Sequence, residues 1–166
     1  MLVFHTTTFV ESKTSFMRTV KDILQQKGAQ FNYIRHDATV YEAIGIMKTE
    51  NISYLIVRDQ NDKYMGIFSE RDYAHKVILE NRHSDSTKVS EIMTENLVRI
   101  SPEETTSKCM LLINNSRERY LPVFDGNVFL GVVTIHDLMR EAMADYEKGR
   151  KELETHEVEF IKKHQA

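Results

Sequence analysis

The chain has 166 residues, of which 41% are hydrophobic and 28% charged, so it can build a core as one domain or as two packed half-domains. Its 22 basic and 25 acidic residues give a formal net charge of −3, which argues against a nucleic-acid or membrane-surface partner. A single cysteine, Cys109, excludes an internal disulfide and fits a reducing cytoplasm, and no apolar run approaches the roughly 18 residues that span a bilayer.

The first residues lack the pattern of a signal peptide, because no basic segment precedes an apolar one. We therefore expect residues 1–18 to form a loose leader, with Met17 as an alternative start. A helix with one buried face follows later, since Val40, Ala43, Ile44 and Met47 recur at i, i+3, i+4 and i+7. The predicted elements of the first half are a short lead-in helix (20–24), strands at about 32–34, 54–57 and 64–68, a helix at 40–47 and another helix opening at Ser69.

The second half repeats this pattern in the same order. Sixty-six residues after the first amphipathic helix, the same spacing returns as Thr106, Cys109, Met110 and Ile113, and the matched strands follow. The matching elements are a lead-in helix (89–93), strands at about 98–100, 120–123 and 129–133, and a helix opening at Thr134. This is a duplication, and we expect repeats over 19–82 and 83–143 with a helical tail over 144–166.

Each repeat predicts a small three-stranded sheet with two helices on one face, an α/β (α+β) unit of βαββα type. The helices cover one face of each sheet and leave the other face exposed. Packing the two sheets face to face would bury these exposed surfaces. The tail is interpreted as a solvated helix that packs partly on the body or on a second subunit, or else as a partner-binding arm.

Two matched motifs, Gly66-Ile67-Phe68-Ser69-Glu70-Arg71-Asp72 and Gly131-Val132-Val133-Thr134-Ile135-His136-Asp137, identify a family resemblance, supported by Leu121-Pro122-Val123. The chain resembles the paired cystathionine-β-synthase-type (CBS) domain, or Bateman module, over residues 19–143. The first copy departs from the family pattern with Ile56 where proline is usual. The resemblance implies a tandem CBS pair that binds AMP, ATP, NAD or a related adenosine ligand and assembles as a homodimer.

The same resemblance implies site residues. Asp72 and Asp137 would accept hydrogen bonds from ribose hydroxyls. The residues placed near phosphate are Ser69, Arg71, Thr134 and His136, and those given a weaker ligand role are Ile34, Thr39, Lys76, Ile100 and Thr105. The two helix starts are expected to face each other and to share one ligand, their free N–H groups and helix dipoles favouring phosphate.

Structural interpretations compete with these assignments. Ser-x-x-Asp is also a capping box, which stabilises a helix start by roughly 1 kcal/mol without any ligand. Thr39 and Thr105 are well placed as N-caps, Lys76 as a solvated lysine, and Arg71 and His136 as exposed helix residues. Cys109 falls on the buried face of its helix and is interpreted as core.

Other functional classes find less support in the sequence. The seven histidines show no metal-ligand spacing, and neither GxGxxG nor a Walker loop is present. Without paired carboxylates or a metal cluster to activate water, we expect neither an enzyme nor a catalytic cofactor. The hypotheses are a regulatory nucleotide-binding module that acts on a separate protein in the cytoplasm, a dimerising structural protein without ligand and, last, a nucleotide hydrolase. Which nucleotide binds, and at one site or two, stays open.

Overall fold

The structure, a computed structural model, describes residues 18–28 and 30–164, so the expected leader lies outside the described residues except for Arg18. The elements follow one another in the predicted order. In the first half they are α1 (Val20–Lys27), β1 (Tyr33–Arg35), α2 (Val40–Glu50), β2 (Tyr54–Arg58), β3 (Tyr64–Ser69) and α3 (Glu70–Asp72), which continues as a π-helical segment (Tyr73–Ile78). In the second half they are a 3₁₀ turn (Val89–Glu91), α4 (Thr106–Ser116), β4 (Tyr120–Asp125), β5 (Val128–Thr134) and α5 (Ile135–His164).

Each half is built around an antiparallel hairpin. β2 pairs with β3, which sets Ile56 opposite Ile67, and β4 pairs with β5, which sets Pro122 opposite Val132. β1 lies parallel to β2, so the first sheet has the predicted three strands in the order β1-β2-β3. The mixed α/β architecture and the tandem arrangement are confirmed.

The strand predicted at residues 98–100 is the main departure from this plan. There Ile100 alone bridges to β4, and the second sheet among the described residues is two-stranded. In the first half, the N–H of Ile56 donates to the carbonyl of Asn32 at 3.0 Å and extends the parallel ladder. The equivalent of Ile56 is Pro122, which has no N–H to donate. The prediction was wrong because Pro122 removes the hydrogen bond that would lengthen this strand.

The two sheets pack against each other, as predicted. Ile56 and Ile67 of the first sheet and Val132 of the second are buried in one cluster between them. The rings of Tyr54 and Tyr120, which occupy equivalent positions in the two halves, contact each other at 4.7 Å between centroids. Each fully buried aliphatic side chain of this kind stabilises the fold by about 1.5–3 kcal/mol.

The segments that lead into each half pack on the opposite half. Val20 and Ile23 of α1 are buried in the core of the second half together with Cys109, whose predicted core position is confirmed. Conversely, Val89 and Ile92 are buried in the core of the first half. We call α1 with the chain up to β1 the first lead-in segment, and the 3₁₀ turn with the chain up to Ile100 the second.

The second lead-in segment is not the helix predicted over residues 89–93. It makes one 3₁₀ turn, after which Thr94 pairs antiparallel with Ile67 of β3. The N–H of Thr94 donates to the Ile67 carbonyl at 2.8 Å, and the Ile67 N–H donates back at 3.0 Å. Two backbone hydrogen bonds to a strand require extended chain, and this ends the helix after one turn.

α5 extends well beyond the two sheets. Leu138 and Glu141 are buried, and beyond Glu141 most of the side chains that are described on α5 are exposed, among them Tyr146 and Leu153. α5 therefore contains most of the tail expected over residues 144–166. Among residues 18–28 and 30–164, no helix combines the length and apolar character needed to cross a membrane.

Candidate functional site

Both motifs end a strand and cap the helix that follows. Asp72 Oδ2 accepts hydrogen bonds from the Ser69 N–H at 2.9 Å and the Ser69 hydroxyl at 2.6 Å, and the Asp72 N–H donates to Ser69 Oγ at 3.3 Å. Asp137 repeats these contacts with Thr134 at 2.9, 2.9 and 3.2 Å. The capping-box interpretation therefore describes both motifs, and part of the N–H potential of each helix start is satisfied internally.

The glycines of the motifs make room for the lead-in segments. A Cβ on Gly66 would lie 2.6 Å from the carbonyl oxygen of Thr94, and one on Gly131 would overlap the ring of Phe31. Both neighbours belong to lead-in segments. The glycines are thus required where a chain segment crosses close to β3 or β5.

A cleft of about 760 Å³, here called cleft A, opens at the start of α5. Thr134, His136 and Asp137 of the second motif line one side, and Phe31 and Tyr54 of the first half line another. Cationic side chains outnumber carboxylates in its lining: Lys27, Lys48, Arg119 and Arg140 against Glu70 and Asp137. The cleft is locally positive although the whole chain is negative, as an anionic ligand requires.

A smaller cleft of about 410 Å³, cleft B, opens at the start of α3. It is lined by Ser69, Arg71, Asp72 and Lys76 of the first half and by Thr94, Leu97 and residues 116–120 of the second. Arg119 and Tyr120 also line cleft A, so the two clefts adjoin. Each cleft joins the motif of one half to the strands and loops of the other.

The two aspartates therefore do not share one crevice. Asp72 lines cleft B and Asp137 lines cleft A, and the prediction of one ligand held between facing helix starts was wrong. The physical reason is the duplication itself, since each repeat brings its own motif and each motif lines a cleft of its own. A ligand in either cleft would still contact both halves.

In cleft A, Asp137 is buried among donors. Its Oδ2 accepts a hydrogen bond from Lys27 Nζ at 2.8 Å in addition to those from Thr134, whereas its Oδ1 lies 3.6 Å from the Arg140 guanidinium. Burial raises the pKa of Asp137, but the hydrogen bond and charge of Lys27 and the donors of Thr134 outweigh it and bring the pKa below its ordinary value. The carboxylate is ionised at neutral pH, and Oδ1 accepts no hydrogen bond within the described residues.

Lys27 also fixes the polar edge of Tyr54. Its ammonium group donates to the Val132 carbonyl at 3.1 Å and lies 3.4 Å from the Tyr54 hydroxyl. Burial, and then the nearby charge of Asp137, raise the pKa of Tyr54, so this phenol stays protonated. A neutral aromatic surface thus borders the charged part of the cleft.

In cleft B, Asp72 has close polar partners at both oxygens. Asp72 Oδ1 accepts a hydrogen bond from the Thr94 hydroxyl at 2.9 Å and pairs with Lys76 Nζ at 2.6 Å. Lys76 Nζ donates further to the Ile92 carbonyl at 2.7 Å and to Thr94 Oγ1 at 3.1 Å. Lys76 is partly exposed, and its ammonium group contacts acceptors on α3 and the second lead-in segment.

Of the other predicted residues, some lie in the clefts and some do not. Arg71 and His136 are exposed and line clefts B and A respectively. Ile34 and Ile100 are buried in the two helix-covered cores, away from both linings, because each pairs within or against a sheet. The residues that act as N-caps are Thr39, which accepts from the Glu42 N–H, and Thr105, which accepts from the Lys108 N–H. Among the residues that the structure describes, no group of three or more histidine, cysteine or acidic side chains is placed to hold a metal ion.

The comparison with known families decides the identity of the two repeats. The family model described as "CBS domain" matches the chain twice, over residues 19–78 and 89–144. The chain belongs to the CBS-domain family. The two clefts therefore lie within a CBS pair, each at the junction of its two repeats.

Similar proteins are CBS-domain proteins of varied length. A mitochondrial CBS domain-containing protein of Arabidopsis thaliana, CBSX3, is 33% identical over 144 residues, covering 82% of this chain and 68% of that protein. An inosine-5'-monophosphate dehydrogenase of Methanocaldococcus jannaschii is 28% identical over 83% of this chain, which spans 27% of that enzyme. The solved structure of a putative signal-transduction protein with CBS domains from Burkholderia ambifaria is 38% identical, with a TM-score of 0.72 over 77% of this chain and 96% of that one.

The sequence reasoning missed Lys27 and Thr94, which contact the motif aspartates of the CBS pair from the lead-in segments. The repeat identified these segments but carried no sign that each packs on the opposite repeat. The one local signal was the glycine of each motif, because a glycine inside a strand indicates close approach by another chain segment. A glycine in a strand indicates that another chain segment lies close to it, but it does not identify which residue of that segment makes the contact.

Proposed function

We propose that this CBS pair is a regulatory module that binds an adenine nucleotide of the AMP, ATP or NAD type at the junction of its repeats. The observation that carries the proposal is cleft A, where an ionised carboxylate with an open oxygen, Asp137, stands among four cationic side chains. A nucleotide fits this combination because it brings hydroxyl donors and phosphate together.

Each part of a nucleotide has a suitable partner in cleft A. The vicinal hydroxyls of a ribose would donate to Asp137 Oδ1, since a carboxylate oxygen accepts two hydrogen bonds. The phosphates would be held by Arg119 and Arg140, whose guanidinium groups match phosphate geometry, with Lys48 adding charge. The neutral rings of Phe31 and Tyr54 offer an apolar surface to the adenine base.

Binding at a junction of two repeats supports a regulatory role. A ligand that contacts both repeats shifts the equilibrium between their relative arrangements by its difference in affinity for them. Relatives that consist largely of CBS repeats, including one described as a putative signal-transduction protein, favour this role over catalysis. We propose that the module acts on a separate protein, as a homodimer, in the cytoplasm, and that no catalytic cofactor takes part.

Calorimetric titration and thermal-shift assays with AMP, ATP and NAD test this function. We expect at least one of them to bind and, at roughly 100 times its Kd, to stabilise the fold by about 2.7 kcal/mol, a melting rise of several degrees. Asp137→Asn keeps the shape of the side chain but removes its charge, and it should weaken binding by about tenfold or more. Lack of binding by all three nucleotides would contradict the proposal.

The competing function is dimerisation without a nucleotide. It is favoured by the apolar side chains that α5 exposes, Met139, Met143, Tyr146 and Leu153. Under this alternative, sedimentation would give a dimer, none of the nucleotides would raise the melting temperature, and Asp137→Asn would change only stability. The titration above therefore separates the two functions.

A further inference from the structure

We propose that Lys76 closes cleft B to nucleotide, so that each chain binds a single nucleotide, in cleft A. This inference rests on the proposed function. It adds the number of nucleotides that each chain binds and the residue that determines this number. Duplication alone would give two equivalent sites, and the difference between them lies in what surrounds the two motif aspartates.

Both carboxylate oxygens of Asp72 are engaged by groups of the protein. A carboxylate has about four lone-pair positions, two on each oxygen. Oδ2 accepts from the N–H and the hydroxyl of Ser69. Oδ1 accepts from the Thr94 hydroxyl and forms an ion pair with Lys76 Nζ at 2.6 Å. A ribose can reach this carboxylate only by displacing a donor that belongs to the protein.

Lys76 is held too firmly to be displaced at little cost. Its ammonium group contacts three acceptors, Asp72 Oδ1 at 2.6 Å, the Ile92 carbonyl at 2.7 Å and Thr94 Oγ1 at 3.1 Å. Two hydrogen bonds and one ion pair therefore hold the ammonium group within the protein. The π-helical segment that follows Asp72 carries Lys76, and cleft B keeps about 410 Å³ of free space against about 760 Å³ in cleft A.

Cleft A lacks the equivalent closure. The residue that matches Lys76, four positions after the motif aspartate, is Glu141, an acid that pairs with Arg18 and cannot donate to Asp137. The helix here is regular α5, without a π-helical segment. Lys27 contacts Asp137 through Oδ2 alone, and Oδ1 is left with the Arg140 guanidinium at 3.6 Å. Asp137 can therefore take two ribose hydroxyls without losing a protein contact.

Isothermal titration of the full chain with AMP, ATP and NAD in turn measures the stoichiometry. The wild-type protein should bind one equivalent of the nucleotide that it recognises, and two equivalents would overturn the inference while leaving the proposed function intact. Lys76→Met removes the ammonium group at similar volume, and Arg71 and Arg117 remain to hold phosphate in cleft B. This variant should bind two equivalents, whereas one equivalent would overturn the role of Lys76.

A second set of variants assigns the new site to cleft B. Asp137→Asn alone should weaken binding by about tenfold or more, Asp137→Asn with Lys76→Met should restore a site, and adding Asp72→Asn should remove it again. Lys108→Met makes the same change at an exposed lysine of α4 and should behave as wild type. Circular dichroism confirms that each variant is folded, and the wild-type stoichiometry tests the inference without any substitution. If neither wild type nor Lys76→Met binds any of the three nucleotides, the inference and the proposed function both fall.

Discussion

At the scale of single residues, Asp137 is subject to two opposing influences. Burial favours its neutral form, while the Lys27 ammonium group and the Thr134 donors favour the ionised form and prevail. Its folded-state pKa is therefore below the unfolded value, and the unfolded chain takes up a proton at this residue more readily than the folded one does.

The stability contributed by Asp137 should consequently depend on pH. It is fully present above the unfolded pKa of about 3.9 and is lost as the pH falls through the lower folded pKa. At neutral pH, Asp137→Asn should lower the free energy of unfolding by about 1–3 kcal/mol, and this difference from wild type should shrink below about pH 4. Thermal unfolding of both proteins, followed by circular dichroism at a series of pH values, measures this difference in the free energy of unfolding. Asp145→Asn, an exposed change on the same helix, is the control, and a difference that stays constant in acid would contradict the argument.

Much of the site could be predicted at this scale, and what was missed has a common cause. The Ser69–Asp72 and Thr134–Asp137 pairs were predicted because capping follows from local spacing. Lys27 was missed because its partner Asp137 is distant in sequence and its role depends on how α1 packs. Local patterns find partners within a turn, and they do not find partners across the fold.

At the scale of the elements, Gly66 shows how a glycine in a strand allows another chain segment to pack closely against it. Gly66 in β3 lies directly under the second lead-in segment, where Ile67 exchanges two backbone hydrogen bonds with Thr94. A side chain at this position would push against a carbonyl oxygen that is itself fixed by those bonds.

Gly66→Ala should therefore destabilise the protein, by about 1–3 kcal/mol as for other overpacking changes. Gly45→Ala is the matched control, since a Cβ at this position of α2 meets nothing within 4 Å and alanine favours a helix by up to about 1 kcal/mol. Urea denaturation of both variants measures the two effects. Equal stability of the two variants would show that the close approach at Gly66 carries no cost.

Most elements could be predicted because their periodicity is local. The apolar spacing from Val40 to Met47 gives α2, and the hairpins follow from short β-branched runs around polar turns. The strand at residues 98–100 and the lead-in helix at 89–93 were not realised, because Pro122 lacks a donor and Thr94 pairs with β3. Both failures arise from backbone hydrogen bonds to a distant segment.

At the scale of the whole molecule, the crossed lead-in segments join the halves more tightly than the sheet contact alone. α1 is part of the first repeat in sequence, yet Val20 and Ile23 are buried in the core of the second. The second lead-in segment is part of the second repeat in sequence, yet its Val89 and Ile92 are buried in the core of the first half. Each half is therefore completed by residues that the other half supplies.

Ile23→Ala should destabilise the fold by about 2–5 kcal/mol, the usual cost of emptying a buried aliphatic site. Because Ile23 packs in the second half, amide hydrogen exchange should accelerate in β4 and β5 at least as much as in β2 and β3. Ile78→Ala makes the same change at a side chain that is 54% exposed and should cost less than about 0.5 kcal/mol. Faster exchange confined to the first half would contradict the crossed packing.

The exchange of lead-in segments has a consequence for the history of the chain. A gene that encoded only one unit would produce a polypeptide whose hydrophobic interior lacked Val20 and Ile23, or Val89 and Ile92. We expect that such a single-repeat protein would complete its core by exchanging lead-in segments with a second copy of the same chain. In the duplicated chain this exchange is internal, and we expect that deleting either repeat would expose the hydrophobic core of the other.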